Sequence, residues 1–315
     1  MKILVLGDSG LLGQALVSWA AFHQSHEVLG ISTSPFVASP YWNAQAGSYR
    51  HRILRVPEEM EAYRHCADEF GPQIVVNCAA LADLKDCEKD PAKAEALNRN
   101  LPAQMAADCR DRNARFVHIS TDQVFDGLKR APYTENDAPN PRHVYGKTKW
   151  EGEQAVLSAN PEALVLRTNI VGFRDRAGKP TFAEWLCESL AESREITLFT
   201  DYKVSSVYVG NFAGNLFALL EKKLSGLWHV AGHDHSSKHE FGTLLVRELG
   251  YSGKGIKAGS FQNVQLDPPR PGFLAMDCSK AEESLGKLFF DTQTTVRAIA
   301  RDFKSRSKEK QNVCH

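Results

Sequence analysis

Three short stretches of this sequence carry side chains whose types and spacing suit one reaction. Tyr145-Gly146-Lys147-Thr148-Lys149 sets a phenol and an ammonium four residues apart, which on a helix puts both on one face about 5–6 Å apart. A tyrosine ionises only near pH ~10 in water, and a neighbouring ammonium favours the phenolate and lowers that value. Tyr145 could then protonate a carbonyl oxygen as hydride arrives at the carbon. Ser120-Thr121-Asp122 supplies a hydroxyl to hold the same oxygen. The third stretch is Gly7-Asp8-Ser9-Gly10-Leu11-Leu12-Gly13. Glycines here allow a tight turn and close approach of backbone to a diphosphate. Leu11 and Leu12 open a helix whose free N–H groups and dipole attract an anion. Singly, each stretch also reads blandly, as a solvated helix face, a loop hydroxyl or a turn that packs helix on sheet. Their order along the chain gives them weight together.

Such residues need a scaffold that brings positions 7, 121 and 145 to one edge. Strand-like apolar runs occur at 3–6, 28–31, 53–56, 74–78, 116–120 and 164–167, separated by helix-like stretches at 11–22, 57–70, 91–112 and 145–158. Pro57 and Pro91 suit a helix's first turn, where the missing N–H costs nothing. Short buried strands alternating with helices predict an α/β fold, a doubly wound parallel sheet of Rossmann type with helices on both faces. Its ligands bind at the carboxyl ends of the strands. Beyond residue 172 the pattern is less regular: helices are expected at 182–193, 207–222, 239–249 and 294–304, and strands at 196–199 and 227–230. The expected organisation is a dinucleotide-binding domain of residues 1–172 plus about 207–232. A smaller carboxyl-terminal α/β substrate lobe takes about 173–206 plus 233–303, and 304–315 form a frayed tail.

Lys plus Arg and Asp plus Glu balance at 38 each, so no net field points to nucleic acid or a membrane surface as partner. No apolar run approaches the length of a membrane span. The amino terminus leads straight into a strand, which leaves no room for a signal peptide. Seven cysteines without a C-x-x-C pair read as reduced thiols in a cytoplasmic protein without a metal. His229, His233, His235 and His239 read as a solvated loop. An acid that would select NAD is missing from the exit of the second strand, since Glu27 precedes it and Ser32, Thr33 and Ser34 follow. Ser32 and Thr33 could bond a 2′-phosphate, so NADP(H) is favoured over NAD(H).

These stretches resemble the extended short-chain dehydrogenases/reductases, within them the dTDP-4-dehydrorhamnose reductase-like group. The matching residues are Gly7–Gly13, Asn77-Cys78-Ala79-Ala80, Ser120 through Gly127 (Ser-Thr-Asp-Gln-Val-Phe-Asp-Gly), Tyr145 through Lys149, Leu166-Arg167-Thr168, Arg270-Pro271 and Asp277-Cys278-Ser279-Lys280. The resemblance implies a catalytic set of Thr121, Tyr145 and Lys149. It implies that Gly7, Gly10 and Gly13 cradle the pyrophosphate and that Ala79 and Ala80 line the ribose side. Asn98 matches the asparagine with which this family supports the lysine through water. Asp122, Gln123 and Val124 fall beside the sugar. Arg270 would pair with a sugar-nucleotide diphosphate, or alternatively tie the two lobes by a salt bridge. The implied reaction is NAD(P)H-dependent reduction of a nucleotide-linked 4-keto-6-deoxy sugar at C4.

The sequence departs from the family on the substrate side. Gln123 stands where tyrosine is usual and Lys85 where an aspartate is common. Asp201-Tyr202-Lys203-Val204-Ser205-Ser206-Val207 replaces an Asp-Gln-x-x-x-Pro-Thr segment. Two alternatives stay open, a nucleotide-sugar epimerase or dehydratase and a non-catalytic NADP-binding regulatory subunit. Asp122-Gln123 lacks the Asp-Glu of the dehydratases. Homodimerisation is compatible with the sequence and not decided by it.

Overall fold

The computed structural model describes residues 1–22, 26–36, 49–174 and 178–313, with side chains as far as 307. The chain opens with β1 (Lys2–Leu6), α1 (Leu11–Phe22), β2 (Glu27–Ser32) and β3 (Tyr49–Ile53). Next come α2 (Met60–Phe70), β4 (Ile74–Asn77), α3 (Leu84–Lys89), α4 (Pro91–Glu95) and α5 (Leu101–Asp111). β5 (Arg115–Thr121), α6 (Val144–Ala159), β6 (Leu164–Thr168) and β7 (Ile170–Val171) follow. The remaining elements begin with α7 (Phe182–Ala191), β8 (Ile196–Phe199), β9 (Lys203–Val204), β10 (Val207–Tyr208) and α8 (Val209–Glu221). They end with β11 (Gly226–His229), β12 (Ser236–Ser237), α9 (Lys238–Leu249), β13 (Ile256–Gly259), β14 (Phe273–Leu274), α10 (Ser279–Leu285) and α11 (Thr292–Val313).

Seven strands form one sheet in the order β11-β6-β5-β4-β1-β2-β3, and every neighbouring pair is parallel. Side chains alternate across it. Ile3 and Val5 face one core with α1 and α8, while Leu4 and Leu6 face the other with α2, α5 and α6. Both faces are covered, which is why residues 3–6, 74–76 and 164–166 read as unbroken apolar runs. Strand order reverses between β1 and β4, opening a crevice at their carboxyl ends. A third core gathers Phe173, α7, β8, α9 and α11. Beside it lie the two-stranded pairs β13-β8 and β10-β7 and the three-stranded β12-β9-β14. No helix of the described residues is long and apolar enough to cross a membrane.

Four expectations change. The third strand is Tyr49–Ile53 rather than 53–56. It is an edge strand, Tyr-Arg-His-Arg-Ile, that needs no apolar run because much of it faces solvent. Pro57 lies in the turn before α2, which starts at Met60, whereas Pro91 does open α4, capped by the Asp90 carboxylate. Residues 207 and 208 are strand, pairing with β7 before α8 begins. The frayed tail expected from 304 is instead the end of α11 as far as Val313. Arg306 pairs there with Asp302 one turn earlier at 2.8 Å. Arg, Lys, Glu and Gln are good helix formers without any apolar face. Cys314 lies outside the described residues.

Candidate active site

The crevice is built first from backbone. Gly7 leaves β1 with φ +84°, and its N–H donates to the Ile31 carbonyl at 2.7 Å. A Cβ there would lie 2.8 Å from the Ala79 nitrogen, and one on Gly13 would lie 2.2 Å from the Gly7 carbonyl oxygen. The turn after β1 is thus pressed against both the chain leaving β4 and the first turn of α1. That first turn, whose N–H groups have no partner within the helix, borders a cleft of about 390 Å³. Gly7, Gly10, Leu11, Leu12 and Gly13 line one wall, and Thr121, Gln123, Tyr145 and Lys149 another. Ala80 also borders it, while Ala79 spends its N–H on the Asn77 side-chain oxygen at 3.1 Å. A glycine turn of this kind at a helix amino terminus, where a Cβ on Gly7 or Gly13 would meet backbone, fits the diphosphate of a dinucleotide.

At the exit of β2, Ser32 is buried and its hydroxyl donates to the Ser34 carbonyl, while Thr33 is exposed. Glu27 sits at the opposite end of that strand, 3.6 Å from Arg50. The Asp8 carboxylate points away beneath the turn. It accepts from the Tyr49 hydroxyl at 2.6 Å and contacts His51 at 2.8 Å.

Tyr145 and Lys149 are set by the start of α6. His143 caps it, its Nδ1 accepting from the Gly146 N–H, and Glu88 accepts the Val144 N–H. β5 ends at Thr121, whose hydroxyl oxygen accepts the Gln123 N–H and so turns the chain. Tyr145 is half-buried and shares the cleft with Thr121. Burial pushes the phenol pKa up, opposed by the neighbouring Thr121 hydroxyl, and the charges of Asp122 and Cys87 push it further. The expected lowering by Lys149 does not govern the phenol here. Lys149 is buried, donates to the Ile119 carbonyl and contacts His118 Nε2 at 3.2 Å. Burial brings its pKa down to about 8, against Glu153 and Cys78.

Asp122 is buried and accepts from Thr121, from Gln123 Nε2 at 3.1 Å and from Asn169 Nδ2 at 2.6 Å. Burial pushes its carboxyl above the usual range in spite of these donors. Gln123 also meets His143 through its side-chain oxygen at 3.2 Å. Val124 does not reach the cleft: its side chain is fully buried in the core with α1 and α8, so it is corrected from sugar contact to core packing. Arg270 is exposed, and among the described residues it forms no salt bridge. Its neighbour Pro271 packs on Gly127, where a Cβ would lie 2.6 Å from the proline ring. Asn98 sits in a π turn (Ala96–Asn100) between α4 and α5. Its side chain ties the Leu81 backbone to the Thr148 hydroxyl, beside rather than upon Lys149. Lys85 is exposed on α3 and does not line the cleft.

Several residues join the site that sequence reasoning missed. Asn169 follows β6 and holds Asp122. The phenol of Tyr202, a residue noted earlier only as a departure, is buried near Asp122 and Gln123, and burial pushes it up to about 12. Lys238 opens α9 with its ammonium 4.1 Å from the Phe182 ring. Burial lowers its pKa to about 8, against the charge of Asp122. The histidines read as a solvated loop divide: His229 is fully buried, within 3.2 Å of the carbonyls of Tyr133 and Asp277, while His233 pairs with Glu282.

With this geometry in place, likeness to known proteins decides the family. Residues 1–305 match the RmlD substrate binding domain family. The chain belongs to it. This is the dTDP-4-dehydrorhamnose reductase-like group of the extended short-chain dehydrogenases/reductases, and the chain is an NAD(P)-dependent oxidoreductase. It is 33% identical over 290 residues to the Haloferax volcanii "Probable low-salt glycan biosynthesis reductase Agl14", covering 91% of this chain and 93% of that one. It is 27% identical to the dTDP-4-dehydrorhamnose reductase of Mycolicibacterium smegmatis, over 90% and 80% of the two chains. The solved structure of Bacillus anthracis dTDP-4-dehydrorhamnose reductase in complex with NADP superimposes with a TM-score of 0.79 at 20% identity, covering 95% and 98% of the two chains. That last likeness is one of fold.

Proposed function

We propose that this RmlD-family chain reduces the C4 ketone of a nucleotide-linked 4-keto-6-deoxy sugar, using NADP(H) in preference to NAD(H). The observation that carries the reading is that Thr121, Tyr145 and Lys149 line the same cleft as the Gly7–Gly13 turn. Gly7, Gly10, Leu11, Leu12 and Gly13 hold the cofactor diphosphate. Ala79, Ala80 and Asn98 shape the ribose side, Asn98 by fixing the Leu81 backbone. Ser32 and Thr33 leave the adenosine end without a carboxylate to repel a 2′-phosphate. The reduced nicotinamide supplies the hydride to C4. Thr121 holds the ketone oxygen, and Tyr145 gives that oxygen its phenolic proton, leaving an alcohol. The raised phenol pKa keeps the proton on Tyr145 until the oxygen becomes basic. Lys149 lies one turn further along α6 and stabilises the phenolate left behind. Asp122 and Gln123 border the sugar, and Arg270 takes the nucleotide diphosphate.

The test is oxidation of NADPH, followed by absorbance, with a panel of nucleotide 4-keto sugars. Tyr145→Phe is expected to lower the rate at least 100-fold, the usual scale of general-acid help being about 10²–10⁴, and to leave NADPH affinity nearly unchanged. Tight NADPH binding without turnover of any sugar would replace the reductase with the regulatory-subunit reading.

A further inference from the structure

Behind Lys149 lies a line of buried polar groups that the reaction above does not use. Asn77 ends β4 and His118 lies in the middle of β5; both are buried, 1% and 0% exposed. Asn77 Nδ2 is 3.3 Å from His118 Nδ1, and His118 Nε2 is 3.2 Å from Lys149 Nζ. The direction of the line follows from its far end. The Ala79 backbone N–H can only donate, and it lies 3.1 Å from the Asn77 side-chain oxygen. That contact fixes the amide, so its NH2 group faces His118 and donates to Nδ1. An imidazole that accepts at Nδ1 and is neutral carries its one proton on Nε2. That proton points at Lys149. An ammonium has no lone pair to receive it, whereas an amine has one.

We propose that His118 is a positioning residue for Lys149: Ala79 and Asn77 fix it as the Nε2–H tautomer, and it donates to the lone pair of a neutral Lys149 amine in the cofactor-free protein. The amine keeps an N–H for the Ile119 carbonyl. Charging Lys149 requires the whole line to reverse. The imidazole must move its proton to Nδ1, Asn77 must turn its amide, and the Ala79 N–H must give up its acceptor. His118 thereby resists protonation of Lys149 and keeps its titration near the pH at which a reductase works. The other groups facing Lys149 are Glu153 on its own helix and Cys78 after β4, and both favour the ammonium. Burial holds His118 itself neutral, and an ammonium at Lys149 would reinforce this. The inference deepens the reductase reading and rests on it only for the use to which Lys149 is put.

The experiment uses isotope-labelled, cofactor-free full-length protein and no sugar, so its failure is separable from failure of the reductase reading. Long-range ¹H–¹⁵N correlation spectra above pH 8 report the His118 tautomer, and the Lys149 Cε shift, assigned by its loss in Lys149→Met, reports the amine. The expected results are an Nε2–H imidazole and a Lys149 titration well below the ordinary lysine value of about 10.4. Two variants are expected to raise that titration by about one pH unit, the worth of one hydrogen bond. They are His118→Leu, which removes the donor, and Asn77→Leu, which frees the tautomer and remains informative if the first variant does not fold. An Nδ1–H imidazole, or a Lys149 titration unchanged in the folded variants, overturns the proposal.

Discussion

Replacing Glu153 with glutamine is expected to be among the most damaging single changes outside the cleft, although it removes no atom's worth of volume. Glu153 and Arg167 form a bidentate pair at 2.9 and 2.7 Å, with side chains 0% and 1% exposed. The Ser120 hydroxyl donates to the same carboxylate. The guanidinium lies 5.0 Å from the Phe125 ring, and its Nη1 is buried without a hydrogen-bond partner among the described residues. It therefore has no spare acceptor to turn to. Taking one partner from a buried ion pair costs about 3–5 kcal/mol, a large part of a total stability of about 5–15 kcal/mol. In urea, with a slope near 3 kcal/mol per molar, that is a midpoint lower by about 1 M or more. A double variant, Glu153→Leu with Arg167→Met, leaves no ion in the core and is expected to recover much of the loss. The reasoning is refuted if Glu153→Gln folds and moves the midpoint by less than about 0.3 M, or if the double variant is as unstable as the summed single ones. Glu153 also lies one turn beyond Lys149 and favours its ammonium. The same variant should therefore lower the lysine titration further below about 8.

Gly13→Ala puts a methyl 2.2 Å from the Gly7 carbonyl oxygen, where only backbone could yield. It is expected to weaken NADPH binding at least tenfold by fluorescence titration, and an unchanged Kd would mean the turn is not the cradle. His229 is buried, and burial and then the Arg167 charge lower its pKa to about 3. Its folded value lies below the unfolded one of about 6.5. Its contribution is therefore complete above that pH and is lost as pH falls towards 3, at up to about 1.4 kcal/mol per pH unit. His229→Gln should flatten this slope in urea midpoints measured between pH 7 and pH 5; parallel curves for the two proteins would show that His229 does not titrate on unfolding.

The parts of the site that were legible in the sequence are those written in consecutive residues. The Gly7–Gly13 turn excludes side chains over a few neighbouring positions, and Tyr145 and Lys149 share one helical face, so both leave local marks. β3 left none because an edge strand with exposed positions can be polar. The end of α11 left none because charged residues suit a solvated helix as well as a loose tail. His118, Asn169, Tyr202 and Lys238 meet partners distant in sequence, and no periodicity reports that. One signal was available. His118 interrupts Phe116-Val117-His118-Ile119 in a strand buried on both faces, and a polar side chain in such a strand must have a partner.

The two walls of the cleft are made differently, and that decides what each can say about function. The cofactor wall is mostly backbone, shaped by what is absent from it. The wall given to the sugar in the proposed function is a directed hydrogen-bond network that converges on Asp122. His143 accepts at Nδ1 from Gly146, so as a neutral ring its Nε2–H donates to the Gln123 oxygen. Gln123 then turns its NH2 group to Asp122. From the other side, the Ser206 hydroxyl donates to the Asn169 oxygen at 3.0 Å, and Asn169 donates to Asp122. An amide suits position 123 because it accepts at one atom and donates from another, linking α6 to Asp122. The departure at Gln123 is thus one member of a set contributed by the turn after β5, the cap of α6, the residue after β6 and the segment before β10. Thr121 meets this set at Asp122 and at the Gln123 N–H, and the Tyr145 ring stacks on His143 at 6.1 Å. Under the proposed function, the choice of sugar is therefore sought in this network around Asp122, and the hydride chemistry in Tyr145 and Lys149.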